Sequence, residues 1–338
     1  MKIFRTVLKI LGIIVIALVV AIAALLYFTR DDSVEKHCRD IIKHPEKHPA
    51  LYFENYNFNK NTSLLERIKI APDFVLDDLK KQQVYGKYST YIPTGDEKLL
   101  FEKYLNLLPK LNRDVLAAKL IGIYFINDYD GGGSTNWVMD KNNNMYVYMV
   151  INSVLLKEDI SQWLTYKENC CFIPGNGKIV VNCGSKYKAL LYGLLHESNH
   201  VVDLELGITP YLAEDVKYLR KLKNKNTKFT KDIWLEYNNP HKEYDFKGRS
   251  GLAYYTMRRV LFDKAYYMNL SKSPFVSLYG SQNWAEDFAD MATFYYLTQI
   301  LKQPYEIKIF EGDNTTTVFP MLSDKLNERL PIIQSLYK

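Results

Sequence analysis

The chain has 338 residues, of which 47% are hydrophobic and 24% charged. This much apolar surface can build a large core for one or two domains, so an intrinsically disordered chain is excluded. Four of the 44 basic residues lie in the first 30 positions, and the rest of the chain has 40 basic against 38 acidic residues. Such a balance leaves no charge excess that would call for nucleic acid, and we expect no nucleic-acid partner.

The first predicted element is a membrane segment. Residues 11–28 contain no charge, and a helix over them, at about 1.5 Å per residue, nearly spans a bilayer core of about 30 Å. Three basic residues precede the segment, which keeps the N-terminus in the cytoplasm. We therefore expect residues 1–30 to be a single-pass anchor and residues 31–338 to lie outside the cytoplasm, periplasmic or at the cell surface. A cleaved signal peptide is the alternative, because an A-x-A sequence stands at 21–23.

Helices dominate the next part of the chain. Apolar residues at three- and four-residue spacing predict helices over 33–44 and across most of 62–110. We therefore expect residues 31–115 to form a helical accessory region, with a second domain over 116–338.

Strand patterns open this second domain. Residues 120–126 and 144–156 are rich in β-branched and aromatic residues, which favours two strands. The glycine-rich residues between them, 128–136, predict a flexible connection.

A short strand and a long helix follow. Residues 177–182 predict the strand, and we expect it to lie at a sheet edge. Ser185 is the expected N-cap of the long helix, and Gly207 is expected to end it.

A mixed insertion over 211–275 comes next, before a helix over about 283–302. Within the insertion, residues 216–231 carry seven basic side chains. They indicate a solvated helix face, or a surface for anionic lipid or an acidic substrate.

The cysteines leave two possibilities open. Cys183 could form a disulfide with Cys170 or Cys171 in an oxidising compartment, or all three could be free thiols. Cys38 stands alone, and the absence of a C-x-x-C pair argues against a zinc site built from cysteines.

The long helix carries the strongest chemical motif, His196-Glu197-Ser198-Asn199-His200. Residues four apart share one helix face, so both imidazoles can bind a single ion. Glu197 lies beside them, where it would meet a metal-bound water. This H-E-x-x-H arrangement is typical of zinc metallopeptidases, and the apolar residues around it indicate a buried helix on which these polar groups need a partner.

A catalytic zinc ion takes three protein ligands and leaves one position open. Glu286 is our candidate for the third ligand, with Asp290 one turn further on the same helix face to orient a histidine. His241 is the weaker candidate. Alternatively, Glu286 only caps its helix, since Asn283 and Glu286 have N-cap-to-N3 spacing. Asp287 is expected to be a surface acid.

At this point the sequence resembles a known family. The run from Ser277 to Asp290, SLYGSQNWAEDFAD, is similar to the signature S-x-Y-[GA]-x-x-N-x-x-E-x-F-A-E of the anthrax lethal factor-like metallopeptidases, which include the Pro-Pro endopeptidases. Their H-E-x-x-H-x-x-D is matched as well, ending at Asp203. The two matching segments, 185–207 and 275–303, cover about 50 residues.

The resemblance implies roles for individual residues. His196, His200 and Glu286 would bind zinc, and Glu197 would be the general base. Tyr279 would donate a hydrogen bond to the oxyanion. Asp290 would support a histidine ligand, and Asp203 is the matched acid at the end of the helix motif.

The chain also departs from the family pattern. His200 and Glu286 are separated by 85 residues, Asp290 stands where the signature has Glu, and a membrane segment replaces a secretion signal or toxin domains. We therefore do not extend the family's preference for proline to this chain.

The resulting prediction is a zincin-like α/β (α+β) fold, with a small mixed sheet over the active-site helix and a helical C-terminal lobe. The predicted function is that of a membrane-anchored zinc metalloendopeptidase, which hydrolyses peptide bonds of a protein or peptide substrate with residues 116–338 as its catalytic domain. The strand over 177–182 is the expected edge that pairs with an extended substrate. Two alternatives stay open: a membrane-tethered zinc-containing binding protein without catalysis, and a zinc amidase acting on a cell-wall substrate.

Overall fold

A computed structural model describes residues 2–29, 34–81, 83–175, 177–210 and 227–337, with side chains for 11–22, 24, 25 and, within those ranges, from 39 onward. Residues 211–226, which include most of the basic segment predicted within the insertion, lie outside the described residues.

Within the described residues, the helices lie between Lys2 and Leu336. They are α1 (Lys2–Thr29), α2 (Val34–Lys43), α3 (Asp73–Lys80), α4 (Gly95–Leu107), α5 (Lys110–Lys119), α6 (Ile160–Asn169), α7 (Ala189–Leu206), α8 (Ala265–Leu270), α9 (Trp284–Tyr295) and α10 (Leu330–Leu336). The strands are β1 (Ser89–Tyr91), β2 (Leu120–Asn127), β3 (Gly133–Met139), β4 (Met145–Asn152), β5 (Gly177–Asn182), β6 (Trp234–Glu236), β7 (Asn239–Pro240), β8 (Glu306–Glu311) and β9 (Asn314–Val318).

The largest sheet is mixed and has the order β1-β2-β4-β3. Strands β2 and β4 are parallel, while β1 and β3 pair antiparallel with β2 and β4 at the two edges. A second sheet, β5-β8-β9, is antiparallel. These small sheets and the helices around them confirm the expected α/β (α+β) class. The C-terminal part, predicted to be a helical lobe, also contains the β8–β9 hairpin.

Helix α7 lies in the centre of the main core. Its apolar residues Leu190, Leu191, Leu194 and Leu195 are at most 1% exposed, and they pack with side chains of α4, α5, β2 and β4. Gly207 ends the helix with a left-handed φ of 59°, a conformation that glycine adopts without steric cost. The prediction for this end is confirmed.

The other end of α7 differs from the prediction. Its N-cap is Lys188, which makes no side-chain capping bond, so the expectation that Ser185 caps the helix is wrong. The Lys188 backbone N–H is instead bound by the Tyr104 hydroxyl at 2.7 Å. A hydrogen bond to α4, distant in the sequence, thus satisfies a backbone group at the start of α7 where a local side-chain cap was expected.

Helix α9 begins as predicted. The Asn283 side-chain oxygen accepts hydrogen bonds from the backbone N–H groups of Ala285 and Glu286, at 3.1 and 3.0 Å. The helix continues into a π-helical turn over Tyr296–Ile300, so it covers most of the predicted range.

Several strands were not predicted, among them β6 and β7 within the insertion. The region expected to be mostly helical also contains β1, which is only three residues long. The glycine-rich stretch expected to be a flexible connection contains the start of β3, whose Gly133 pairs with Ile151 of β4.

The described side chains of α1 include long apolar residues that are 49–66% exposed. Among the residues described in full, no helix is both long and apolar enough to cross a membrane. The predicted anchor over residues 11–28 stays a prediction.

Of the two possibilities for the cysteines, the structure has the free form. Cys170, Cys171 and Cys183 are all free thiols. Burial raises the pKa of the Cys170 thiol to about 11 and that of Cys183 to about 12, so these thiols are un-ionised and behave as small apolar side chains.

Candidate metal centre

Helices α7 and α9 bring three candidate ligand atoms together. The His196 and His200 Nε2 atoms are 3.2 Å apart. The Glu286 Oε2 atom lies 3.1 Å from the first and 3.6 Å from the second. Among the described residues, these three form the group of histidine, cysteine and acidic side chains close enough to hold one metal ion. The structure thus contains the ligand set that the sequence predicts.

The spacing of these atoms fits a zinc ion. Zinc–ligand bonds of about 2.0–2.1 Å in a tetrahedron place the ligand atoms about 3.3 Å from one another, and the three observed separations lie on both sides of this value. The side chains of His200 and Glu286 are each 20% exposed. The ligand atoms therefore lie at a surface that a substrate can reach.

Glu286 does more than cap its helix. Asn283 satisfies the first backbone N–H groups of α9, while the Glu286 carboxylate points to the two histidines. The capping alternative therefore does not account for this side chain. His241, the other candidate, is not part of the group.

Asp290 fixes the orientation of His196. Its Oδ1 atom accepts a hydrogen bond from His196 Nδ1 at 2.9 Å and one from the Tyr192 hydroxyl at 2.9 Å. The Ser277 hydroxyl donates to Oδ2. With Nδ1 protonated and held in this way, the lone pair of Nε2 is directed to the shared ligand position.

Lys167 of α6 completes this buried network and was not predicted. Its side chain is 4% exposed. The ammonium lies 3.7 Å from Asp290 Oδ2, donates to the Tyr192 hydroxyl at 2.6 Å, and sits 3.8 Å from the centre of the Tyr279 ring. One signal was present in the sequence: residues 160, 163, 164 and 167 have the spacing of an apolar helix face, so a lysine at the last position faces the core.

The charges of the site suit a divalent cation. The carboxylates of Glu197, Glu286 and Asp290 and the ammonium of Lys167 leave a net charge of −2 when both histidines are neutral. An uncompensated charge of this size is costly in a buried site. A zinc ion would neutralise it.

In the absence of a cation, protons take that role. Burial lowers the pKa of His196, but hydrogen bonds and charge from Asp290 and Glu286 outweigh it and raise this pKa to about 10. For the carboxyl group of Asp290, burial acts in the opposite direction and raises the pKa. The charge of Lys167 and the hydrogen bond from His196 outweigh burial and lower this pKa to about 2. A metal ion must displace the histidine protons, so its affinity decreases as the pH falls.

Glu197 lies beside the ligands, 5% exposed, and β3 holds its carboxylate. The Thr135 hydroxyl donates to Glu197 Oε2 at 2.8 Å. At Gly133, a Cβ atom would be 2.6 Å from the Val150 carbonyl oxygen and 3.3 Å from Glu197 Oε1. Only glycine therefore lets the strand pass this close to the carboxylate.

Tyr279 lines the same cleft as Glu197. Its ring centre is 6.0 Å from that of His196 and 5.0 Å from that of Tyr254. Burial first, and then the charge of Glu286, raise the pKa of Tyr279 well above its usual value. The phenol therefore keeps its proton and can act as a hydrogen-bond donor.

Asp203 has a different role from Asp290. Its carboxylate accepts hydrogen bonds from the backbone N–H and the hydroxyl of Thr209, both at 2.6 Å. These bonds fasten the chain just after α7. Asp203 lines the cleft, but its hydrogen bonds go to Thr209 and not to a histidine ligand.

Asp287, expected to be a surface acid, is fully buried. It forms two hydrogen bonds with the Arg329 guanidinium and accepts another from the Trp234 indole at 2.8 Å. The expectation was wrong because adjacent residues of a helix point in different directions. Glu286 points to the histidines, and Asp287 points to Arg329 of the C-terminal segment.

The ligand atoms open into a cleft of about 750 Å³, and β3 runs along it from Gly133 to Trp137. A second cavity of about 430 Å³ adjoins the cleft at His196, Glu197 and Tyr279. The residues of β5, all of which the structure describes, line neither of these cavities. The strand beside the site is therefore β3, not the strand 177–182 that the sequence suggested.

No family model, curated protein or solved structure matches this chain. The function therefore has to be inferred from the geometry of the site.

Proposed function

We propose that this chain is a zinc metallopeptidase with a zincin-like fold. The observation that carries the proposal is the convergence of His196, His200 and Glu286 at an open cleft, with Glu197 beside them. Two histidines and a glutamate are a ligand set of catalytic zinc sites, whereas purely structural zinc sites are closed by a fourth protein ligand.

The proposed chemistry is hydrolysis of a peptide bond. When bound, zinc lowers the pKa of a water molecule and polarises a carbonyl oxygen. Glu197 accepts the proton of the attacking water and passes it to the leaving amine. The Thr135 hydroxyl holds Glu197 Oε2, which leaves Oε1 as the atom that takes the proton.

Tyr279 supplies the second electrostatic contribution. Its neutral phenol donates a hydrogen bond to the negative charge that develops on the substrate's carbonyl oxygen. Loss of one such donor lowers turnover about 10²–10³-fold. The Lys167 ammonium against the face of the Tyr279 ring keeps that ring in place.

The edge of β3 offers a binding surface for an extended peptide. A peptide that adds to a sheet edge gains main-chain hydrogen bonds, and its side chains alternate between two directions. β3 is an edge strand, and it runs past the Glu197 carboxylate. We place the substrate along this strand.

We further propose that residues 11–28 anchor the protein in a membrane with the cleft outside the cytoplasm. The uncharged run and the preceding basic residues support this proposal. The test is carbonate extraction of membranes, followed by protease treatment of intact cells. Release of the chain by carbonate, or protection of residues 31–338 inside the cytoplasm, would contradict it.

Peptide hydrolysis is tested with the zinc-loaded full chain and a proteome-derived peptide library. We expect cleavage that a chelator abolishes and zinc restores, and a Glu197→Gln variant that binds zinc but cleaves at least 10²-fold more slowly. Glu205→Gln is the matched control on the same helix. A parent chain that cleaves only cell-wall amides favours the amidase, and one that holds zinc and hydrolyses neither substrate is a binding protein.

A further inference from the structure

A segment of the chain itself occupies part of the edge of β3. The Met139 backbone N–H donates to the Leu51 carbonyl at 2.8 Å, and Tyr52 pairs with Met139 in a parallel bridge. On the opposite edge, the Asn152 N–H donates to the carbonyl of Gly132. The backbone N–H and C=O groups of successive residues in an antiparallel strand point alternately to its two edges. The backbone groups of Met139 therefore point away from β4.

The same alternation defines what faces the cleft. Gly133 and Thr135 are separated from Met139 by six and four residues, and β3 pairs with β4 without a register shift. Their backbone groups therefore point to the same side as the Met139 N–H. The edge that would bind a substrate near Glu197 is continuous with the edge that Leu51 fills.

Residues 47–52, which we call the end wall, are held by packing and by hydrogen bonds. Leu51 and Tyr52 pack against Ile41, Trp137 and Met139 in a small separate core. Further hydrogen bonds close the turn behind the end wall: the Tyr56 hydroxyl donates to the Ala50 carbonyl at 2.6 Å, the Asn55 amide to the Pro49 carbonyl at 2.9 Å, and the Lys141 backbone N–H to Glu54 at 3.1 Å.

The end wall also faces the cleft directly. Lys47, His48 and Leu51 line it together with Trp137. His48 is tied back to Asp40 of α2 by a hydrogen bond of 2.9 Å. The loop after α2 is thus a boundary of the substrate cleft.

The distance from the reacting centre to the end wall is short. Glu197 touches Thr135, and Met139 is four residues further along β3. At about 3.4 Å per residue this is about 14 Å, and the last position is taken by Leu51. An extended substrate therefore has room for about three residues between the scissile bond and the end wall.

We propose that the protein acts on the ends of peptides: the end wall admits about three residues on one side of the scissile bond and stops a longer chain. This inference rests on the proposed peptidase function. It gives the N-terminal region a role in choosing the substrate, and it predicts products that differ from those of an endopeptidase with a cleft open at both ends.

The test is the map of cleaved bonds in the proteome-derived peptide library, read by mass spectrometry for the zinc-loaded full chain. We expect nearly all cleaved bonds to lie within about three residues of one terminus, and the map shows which terminus it is. Leu51→Ala keeps the carbonyl that binds Met139 but removes side-chain volume that lines the cleft beside Trp137, and it should extend this limit by about one residue. Ile42→Ala, which loosens the same small core but does not line the cleft, should leave the limit unchanged. Cleavage spread through the interior of the peptides would overturn the proposal.

A binding experiment separates this inference from the proposed chemistry. Fluorescent peptides are biotinylated at either end and mixed with the Glu197→Gln chain, with and without streptavidin. We expect streptavidin at one end to weaken binding at least tenfold and at the other end to have little effect, even if the parent hydrolyses none of these peptides. Equal binding with either end blocked, or no binding of any peptide, refutes the end wall as a limit.

Discussion

Replacement of Asp290 by Asn tests how the second helix supports the metal centre. The carboxylate holds His196 Nδ1 at 2.9 Å and is the charge partner of Lys167 at 3.7 Å, all in a site with almost no solvent. Loss of such a hydrogen-bonding partner of a metal-ligating histidine typically weakens metal binding 10–100-fold, which is about 1.4–2.8 kcal/mol. The Lys167 ammonium also loses its partner, which costs the metal-free fold about 3–5 kcal/mol.

The assay is zinc competition against a chromogenic chelator, with thermal unfolding of the metal-free chain measured in parallel. Glu205→Gln is the matched control, because Glu205 lies on the same helix as His196 but pairs with Lys119 and does not line the cleft, and we expect its zinc affinity to stay within about threefold of the parent. An Asp290→Asn chain that binds zinc as tightly as the parent, or an equal loss in both variants, would refute the assigned role.

The remaining predictions concern the surroundings of the centre. Gly133→Ala should lower peptide turnover more than it lowers zinc binding, because the added Cβ meets the Val150 carbonyl at 2.6 Å and moves β3 away from the cleft floor; unchanged kcat would contradict this. Arg329→Leu should destabilise the chain by about 3–5 kcal/mol in urea unfolding, since Asp287 is left buried without its cation, and a loss below 1 kcal/mol would be inconsistent with that contact. Burial raises the pKa of Glu168 to about 7 in the folded chain, from about 4.5 in the unfolded chain. Between these two pH values the folded chain holds a proton that the unfolded chain has lost. The free energy of unfolding therefore decreases as the pH rises from about 4.5 to about 7, by up to about 3 kcal/mol. A Glu168→Gln chain should lack this decrease relative to the parent, and identical pH profiles would exclude it.

The ligands of the centre could be predicted because they depend on local spacing. His196 and His200 share a face of α7 through their four-residue separation, and Asn283 places Glu286 in the first turn of α9 by a capping bond within the same segment. Only the meeting of the two helices is a long-range event. The two helices meet because the apolar residues of both α7 and α9 pack in the same core.

The parts that the sequence did not predict depend on contacts between distant segments. β3 contains polar and glycine residues at Gly133–Asn136 that resemble a loop, and it becomes a strand because β4 pairs with it. The helix spacing of Lys167 indicates that it faces the core, but its partners Asp290 and Tyr279 become known only when α6 is packed in the structure. Leu51 resembles any leucine of a helical region, and only its bond to Met139 shows that it closes the cleft.

Zinc bound per chain, measured by mass spectrometry of metals on the purified full chain and a Glu286→Gln variant, tests the central claim most directly. We predict about one zinc per parent chain, and a variant that binds zinc at least tenfold more weakly because one of three ligands has lost its charge. A parent that binds no zinc when the metal is supplied at neutral pH, or a variant that binds it as tightly as the parent, would contradict the metal centre formed by His196, His200 and Glu286.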